Sequence, residues 1–111
     1  MKPPKDAFIA PKKIRNYLLV FQKKGDKSKW LASAGYHQRN WRVLERDLFK
    51  LLETSTLFQA TKDHYGIRFE MDGKIIGPNG KALSVRSVWL TEHETGRTKF
   101  ITAFPVRRKP S

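Results

Sequence analysis

The feature that most constrains this chain is a change of period near Thr54. Beyond that point apolar residues recur every second position. Ile67, Phe69 and Met71 alternate with Arg68 and Glu70, as in a strand with one covered face. Turn-forming residues interrupt the pattern at His64-Tyr65-Gly66, Asp72-Gly73, Pro78-Asn79-Gly80 and Glu94-Thr95-Gly96-Arg97. The Asp-Gly pair is a strong hairpin signal. Strands are therefore expected over 56–63, 66–71, 74–76, 81–93 and 98–106.

Before Thr54 the spacing is helical. Pro11 suits a first helical turn. Ile14, Leu18 and Phe21 follow on one stripe with Tyr17 beside them, up to Lys23-Lys24-Gly25, where glycine can end the helix. A short second helix is expected over 27–34, closed by Gly35. The third is the clearest: Trp41, Leu44, Leu48, Leu51 and Leu52 share a face, with Arg42, Glu45, Arg46 and Lys50 opposite. Helices first and an antiparallel meander after them predict an α+β fold, with N-terminal helices packed on one face of a sheet of about four strands. The other face is then left for a ligand. A chain of 111 residues supports one domain, with its core over about 7–106 and basic termini.

Charge narrows the partner. There are 23 Lys and Arg against 10 Asp and Glu, a formal net charge of +13. Such an excess repels itself in a compact fold and points to a polyanion. Nucleic acid leads, with an anionic membrane surface or an acidic protein behind it. Residues 1–29 carry net +7, residues 30–53 net +1 and residues 54–111 net +5, so the charge is not a basic tail. No apolar run has the length of a membrane span, and the apolar stretch 7–10 is too short for a signal-peptide core. A cytoplasmic protein is the expectation.

Several chemistries find no support. With no cysteine there is no disulfide scaffold, thiolate site or Cys nucleophile. The three histidines, His37, His64 and His93, are far apart in sequence, and no metal or cofactor is expected. Gly77-Pro78-Asn79-Gly80-Lys81 lacks the spacing of a phosphate-binding loop and reads as a hairpin turn. Among the aromatics, Trp41 and Trp89 sit on apolar faces and read as core. Trp30, Tyr36, Tyr65 and Trp89 are candidates for stacking on bases, with the core reading the stronger for Trp89, and Tyr65, in a turn, is the best exposed of them.

Two segments carry a resemblance. Val85-Arg86-Ser87-Val88-Trp89 precedes a short hairpin and then Phe100-Ile101-Thr102-Ala103-Phe104-Pro105. Upstream, Ile14-Arg15-Asn16-Tyr17-Leu18-Leu19 leads into Gly25-Asp26-Lys27-Ser28-Lys29-Trp30-Leu31 and Gly35-Tyr36. Together these resemble a small bacterial domain family found alone and at the ends of polymorphic-toxin and phage-head proteins. The closing Thr-Ala-Phe-Pro is similar to the Thr-Ala-Tyr-Pro ending of the barnase, EndoU, colicin and RelE-like ribonuclease superfold, in which N-terminal helices pack on a four-stranded antiparallel sheet. The resemblance implies metal-independent RNA cleavage, with an acidic antitoxin or immunity protein as partner. It places Lys27, Arg86 and Thr102 on matching motif positions. The family often has a histidine shortly before the lysine, and this chain has none there.

Cleavage through the ribose 2′-OH needs a base, an acid for the leaving oxygen and cations at the phosphate. Arg86 suits phosphate through its planar fork. Lys27 supplies charge or moves a proton, Thr102 bonds a non-bridging oxygen, and His37 is the reserve acid or base. Lys29, Tyr36, Tyr65, Arg68 and Lys81 are the expected RNA contacts. Plainer readings stand beside these. Lys27 and Lys29 also fit the polar face of a short helix. Arg86 also fits a strand position facing solvent or paired with Glu70, with a bulge expected near Ser87. Thr102 also fits a buried structural position. The alternative functions are a non-catalytic RNA- or DNA-binding module, or a phage or structural accessory protein with a basic partner-binding surface.

Overall fold

The computed structural model describes residues 7–21, 23 and 26–106. Its elements run α1 (Pro11–Lys13), a π-type turn (Ile14–Leu18), α2 (Ser28–Ala32), a 3-10 turn (Gln38–Asn40), α3 (Trp41–Thr54), and then β1 (Thr56–Lys62), β2 (Gly66–Ile76), β3 (Ala82–Glu92) and β4 (Thr98–Pro105). The strands form one antiparallel sheet in the order β1-β2-β3-β4. This is the α+β meander that the two periods predict. The basic residues Lys24, Arg107, Arg108 and Lys109, and Gly25, lie outside the described residues.

One face of the sheet carries the core. Phe69, Met71 and Ile75 of β2, Leu83, Val85 and Trp89 of β3, and Phe100 and Ala103 of β4 meet Ile14, Leu18, Leu31, Leu44, Leu48, Leu51 and Leu52 from the helical half. Trp89 is fully buried, so it is core and not a surface for stacking on bases. Its indole N–H donates to Ser87 Oγ at 2.9 Å, and its ring meets Phe100 edge-on at 5.3 Å. That bond satisfies the one polar atom the indole brings into the core. The expected face of α3 is the buried one, with Trp41 half-buried at its margin.

Three expectations change. The first helix is shorter than 11–24. Leu19 N–H donates to Ile14 O, a wide turn that buries Ile14, Leu18 and Leu19 together, while Phe21 leaves the apolar stripe and is 60% exposed. Asp72-Gly73 is not a hairpin turn. β2 runs straight through it, with Asp72 opposite Arg86 and Gly73 opposite Val85. Here glycine serves close approach: a Cβ on Gly73 would lie 2.2 Å from Ser55 Oγ and 2.9 Å from a Leu51 methyl. Burial of α3 against the strand outweighs the local turn preference. Finally, the bulge expected near Ser87 of β3 lies on β4. Val88 pairs with Thr102 and Trp89 with Phe100, so Ile101 is the extra residue. Leu83 and Val85 face inward and Val88 and Leu90 outward by ordinary alternation, with β3 in unbroken register against β2.

Pro78-Asn79-Gly80 is the expected turn between β2 and β3. It is tied to the end of the second helical segment by Asn79 N–H to Ala34 O at 3.2 Å and Asn79 Nδ2 to Ser33 O at 3.0 Å. At the opposite end, Asp63 Oδ1 accepts the backbone N–H groups of Tyr65 and Gly66. These bonds, led by that from Tyr65, hold the Asp63 carboxyl below its ordinary range.

Three outcomes test this packing. Gly77→Ala places a Cβ 2.0 Å from Ala34 O, and should cost about 1–3 kcal/mol in urea unfolding. Tyr36→Phe removes the phenol that donates to buried Asp47, and should cost a similar ~1–3 kcal/mol. Because Asp63 has a depressed folded pKa, its contribution is present above the unfolded carboxylate value and is lost as pH falls through the folded one. Asp63→Asn should therefore flatten the acid limb of stability against pH, measured by urea midpoints below about pH 5.

Candidate functional site

The helices cover one face of the sheet. On the other, the pleat places Arg68, Glu70 and Asp72 of β2 beside Ser84, Arg86, Val88 and Leu90 of β3. On β4 the extra residue at Ile101 resets the alternation. Phe100 and Ala103 point into the core, so Thr102 and Phe104 point outward. Without that bulge, Thr102 would share the inward side with Phe100.

A polar cluster forms around Phe104. Lys27, just before α2, reaches β4, and its Nζ donates to Thr102 Oγ1 at 2.7 Å. The same ammonium lies 5.3 Å from the Tyr17 ring and 6.0 Å from the Phe104 ring. Lys13 Nζ bonds Ile101 O nearby at 3.1 Å. Arg86 is directly opposite Phe104, and with Phe104, Pro105 and Val106 it lines an open depression of about 450 Å³. Thr102 and Arg86 are diagonal neighbours across the strand pair, so their Cα atoms lie roughly 7–8 Å apart.

Arg86 is fixed on two sides. Its Nε and Nη2 donate to the two Asp72 oxygens at 2.6 and 2.8 Å. Its guanidinium carbon sits 3.5 Å from the centre of the Phe58 ring. Phe58 falls at the irregularity of β1 between Leu57 and Gln59, and such a bulge re-aims a side chain. The Asp72 hydrogen bonds, foremost, raise the Arg86 pKa above its ordinary value. A guanidinium has five N–H donors. The fork that Asp72 occupies leaves the Nη1 edge for a second oxyanion.

The residues expected to act divide accordingly. Lys27, Thr102 and Arg86 come together, and Arg86 pairs with Asp72 rather than Glu70. Arg68 is exposed on β2, beside Leu90 of β3. Lys29 belongs to α2, with its ammonium 5.3 Å from the Phe21 ring. Lys81 is exposed at the β2–β3 turn, its N–H bonded to Asn79 Oδ1. Tyr65 stays exposed at the β1–β2 turn.

One expectation is corrected. Tyr36 does not stack on bases: it is 1% exposed, and its hydroxyl donates to Asp47 Oδ2 at 2.5 Å. Burial, then that bond, push its phenol pKa up. His37 lies between α2 and α3. It precedes the Gln38–Asn40 turn, where its N–H donates to Asn40 Oδ1, and Asn40 ties back to Gly35 against the Pro78-Asn79 turn. Asp72 and Phe58 were missed. Reading Asp72 as a turn residue hid its place in the outward series Arg68, Glu70, Asp72. No sequence signal marks Phe58.

The chain belongs to the family described as "Domain of unknown function (DUF6883)", whose model matches residues 2–107. No curated protein matches it. Among solved structures it is similar to a chain of a contact-dependent growth inhibition toxin–immunity protein complex from Klebsiella pneumoniae 342. The TM-score is 0.71 and the identity 21%, over 88% of this chain and 98% of that one. The likeness establishes a shared fold.

Asp72 and Phe58 hold Arg86 by a flat two-pronged contact that an ammonium cannot reproduce. Arg86→Lys should therefore lower the urea midpoint although it keeps the charge. A midpoint equal to wild type would contradict this account of the pair.

Proposed function

We propose that this protein is a metal-independent endoribonuclease and the toxin member of a toxin–immunity pair. The observation that carries the reading is the convergence of Lys27, Thr102 and Arg86 around Phe104 on the face the helices leave open. The fold it shares with a chain of a toxin–immunity complex supports the toxin side in combination with the charge. A net +13 suits an agent that binds RNA and an acidic partner that masks it. No helix among the described residues is long and apolar enough to cross a membrane, and action on cytoplasmic RNA fits this reading.

The chemistry follows from the donors. The ribose 2′-oxygen attacks the adjacent phosphorus, and the bond to the 5′-oxygen breaks, giving a 2′,3′-cyclic phosphate and a 5′-hydroxyl. Charge builds on the non-bridging oxygens, where preorganised donors act most strongly. The outer edge of Arg86 offers two N–H groups there, and its orientation is already set by Asp72 and Phe58. Thr102 accepts from Lys27, so its own O–H is turned toward another acceptor, a phosphate oxygen in the complex. In this reading Lys27, bonded to Thr102, carries a proton, with His37 in reserve, since His64 and His93 belong to the far end of the sheet. The second reading is a binding module without cleavage, and the pairing of Arg86 with Asp72 favours it, because the carboxylate offsets part of the charge a transition state needs while the Nη1 edge still bonds phosphate.

Total RNA incubated with the protein in EDTA separates the two. Wild type should leave cyclic phosphate ends, and Arg86→Ala should slow cleavage about 10²–10³-fold, the loss typical of one oxyanion donor. Lys27→Ala should be at least as severe. Intact RNA over a range of salt, with binding retained, would establish the binding module instead.

A further inference from the structure

At the far end of the same outward face lies a second concavity, about 280 Å³, lined by His64, Tyr65, Leu90, Glu92, Glu94 and Lys99. Leu90 is its floor, flanked in register by Arg68 and Lys99. Tyr65 is 67% exposed, and its ring lies 4.0 Å from that of His64. Its backbone is fixed, not loose: Tyr65 N–H donates to Asp63 Oδ1, and Tyr65 O accepts from His93 N–H at 3.0 Å. His93 Nε2 also bonds Asp63 O at 2.9 Å. The turn thus presents a large aromatic to solvent on a rigid frame.

The acids are out of place on a surface made only to attract phosphate. Glu92 pairs loosely with Lys99 at 3.8 Å, and Glu94 stands beside it. A carboxylate repels a phosphate but accepts the amino N–H of a base. Leu90 is four residues along β3 from Arg86, about 13 Å at ~3.3 Å per residue. That places the two sites a few nucleotides apart, on the same uncovered face.

We propose that this cavity is a subsite for one unpaired nucleobase of single-stranded RNA, stacked on Tyr65 and read through its amino group by Glu92 and Glu94. The inference rests on the RNA reading above, and it makes Tyr65 and the two glutamates determinants of specificity at a distance from the phosphate cluster. It also requires an extended, single strand, because a base in a duplex cannot lie on Tyr65.

The test is binding of 2′-O-methyl oligonucleotides, which lack the attacking hydroxyl, followed by fluorescence anisotropy. Tyr65→Ala should weaken binding of a single strand about tenfold, the loss of one stacked base, with the salt slope unchanged. Arg86→Ala should instead reduce the slope by about one unit. Oligo-C should bind several-fold tighter than oligo-U, and the Glu92→Ala, Glu94→Ala double variant should bring that ratio near one. Unchanged single-strand affinity in Tyr65→Ala, or an equal loss on a duplex, overturns the subsite, as does a C-to-U ratio that survives the double variant. Urea unfolding of each variant separates misfolding from lost contacts. Because no bond is cleaved, absence of nuclease activity in total RNA would defeat the catalytic reading without deciding this one.

Discussion

The burial of Trp89 and its neighbours against the helical half is the constraint from which the rest follows. The short helical segments and α3 supply enough apolar surface for one face of the sheet, and the inward residues of β2, β3 and β4 take all of it. Gly73 and Gly77 let backbone approach backbone or side chain where a methyl group would not fit. The charged residues Arg68, Glu70, Asp72 and Arg86 of the strands consequently lie on the second face, while Ser87 stays inside as the partner of the Trp89 indole. The open surface is the geometrical remainder of covering a sheet once.

That surface is ordered by charge pairing more than by shape. Arg86 is oriented by Asp72 and by the Phe58 ring, and Lys27 by Thr102 and the Tyr17 and Phe104 rings. Aromatic rings beside cations exclude some water without neutralising them, which strengthens their field toward an incoming anion. The net charge of +13 sets the long-range positive field of the molecule, whereas the close placement of these few groups sets its local form on this face.

Much of the fold was legible from period alone. The apolar stripe of α3, the meander and the uncovered face all follow from spacing. What misled was local preference set against packing. Asp72-Gly73 has the composition of a turn, but the strand continues because α3 needs a residue without a side chain there. Phe21 fits a helical stripe, but the wide turn at Ile14–Leu18 ends that stripe early. Lys27, Arg86 and Thr102 were singled out through motif resemblance, and the contact of Lys27 with Thr102 spans 75 residues of sequence. Tyr36 failed as a surface aromatic because it is buried with its hydroxyl on Asp47, eleven positions away on α3. Phe58 had no signal, since a bulge in an exposed strand leaves no periodic trace.

The extra residue in β4 has a further consequence. Up to Phe100 the even-numbered positions serve the core, and from Thr102 onward the even-numbered positions serve the surface. The two halves of one strand are therefore coupled by a single unit of length. Substitutions at Ile101 can drift, since its place is defined by being surplus, but its deletion would exchange inside for outside along the rest of the strand. Among relatives of this fold, variation in this stretch should accumulate as replacements, with changes of length purged.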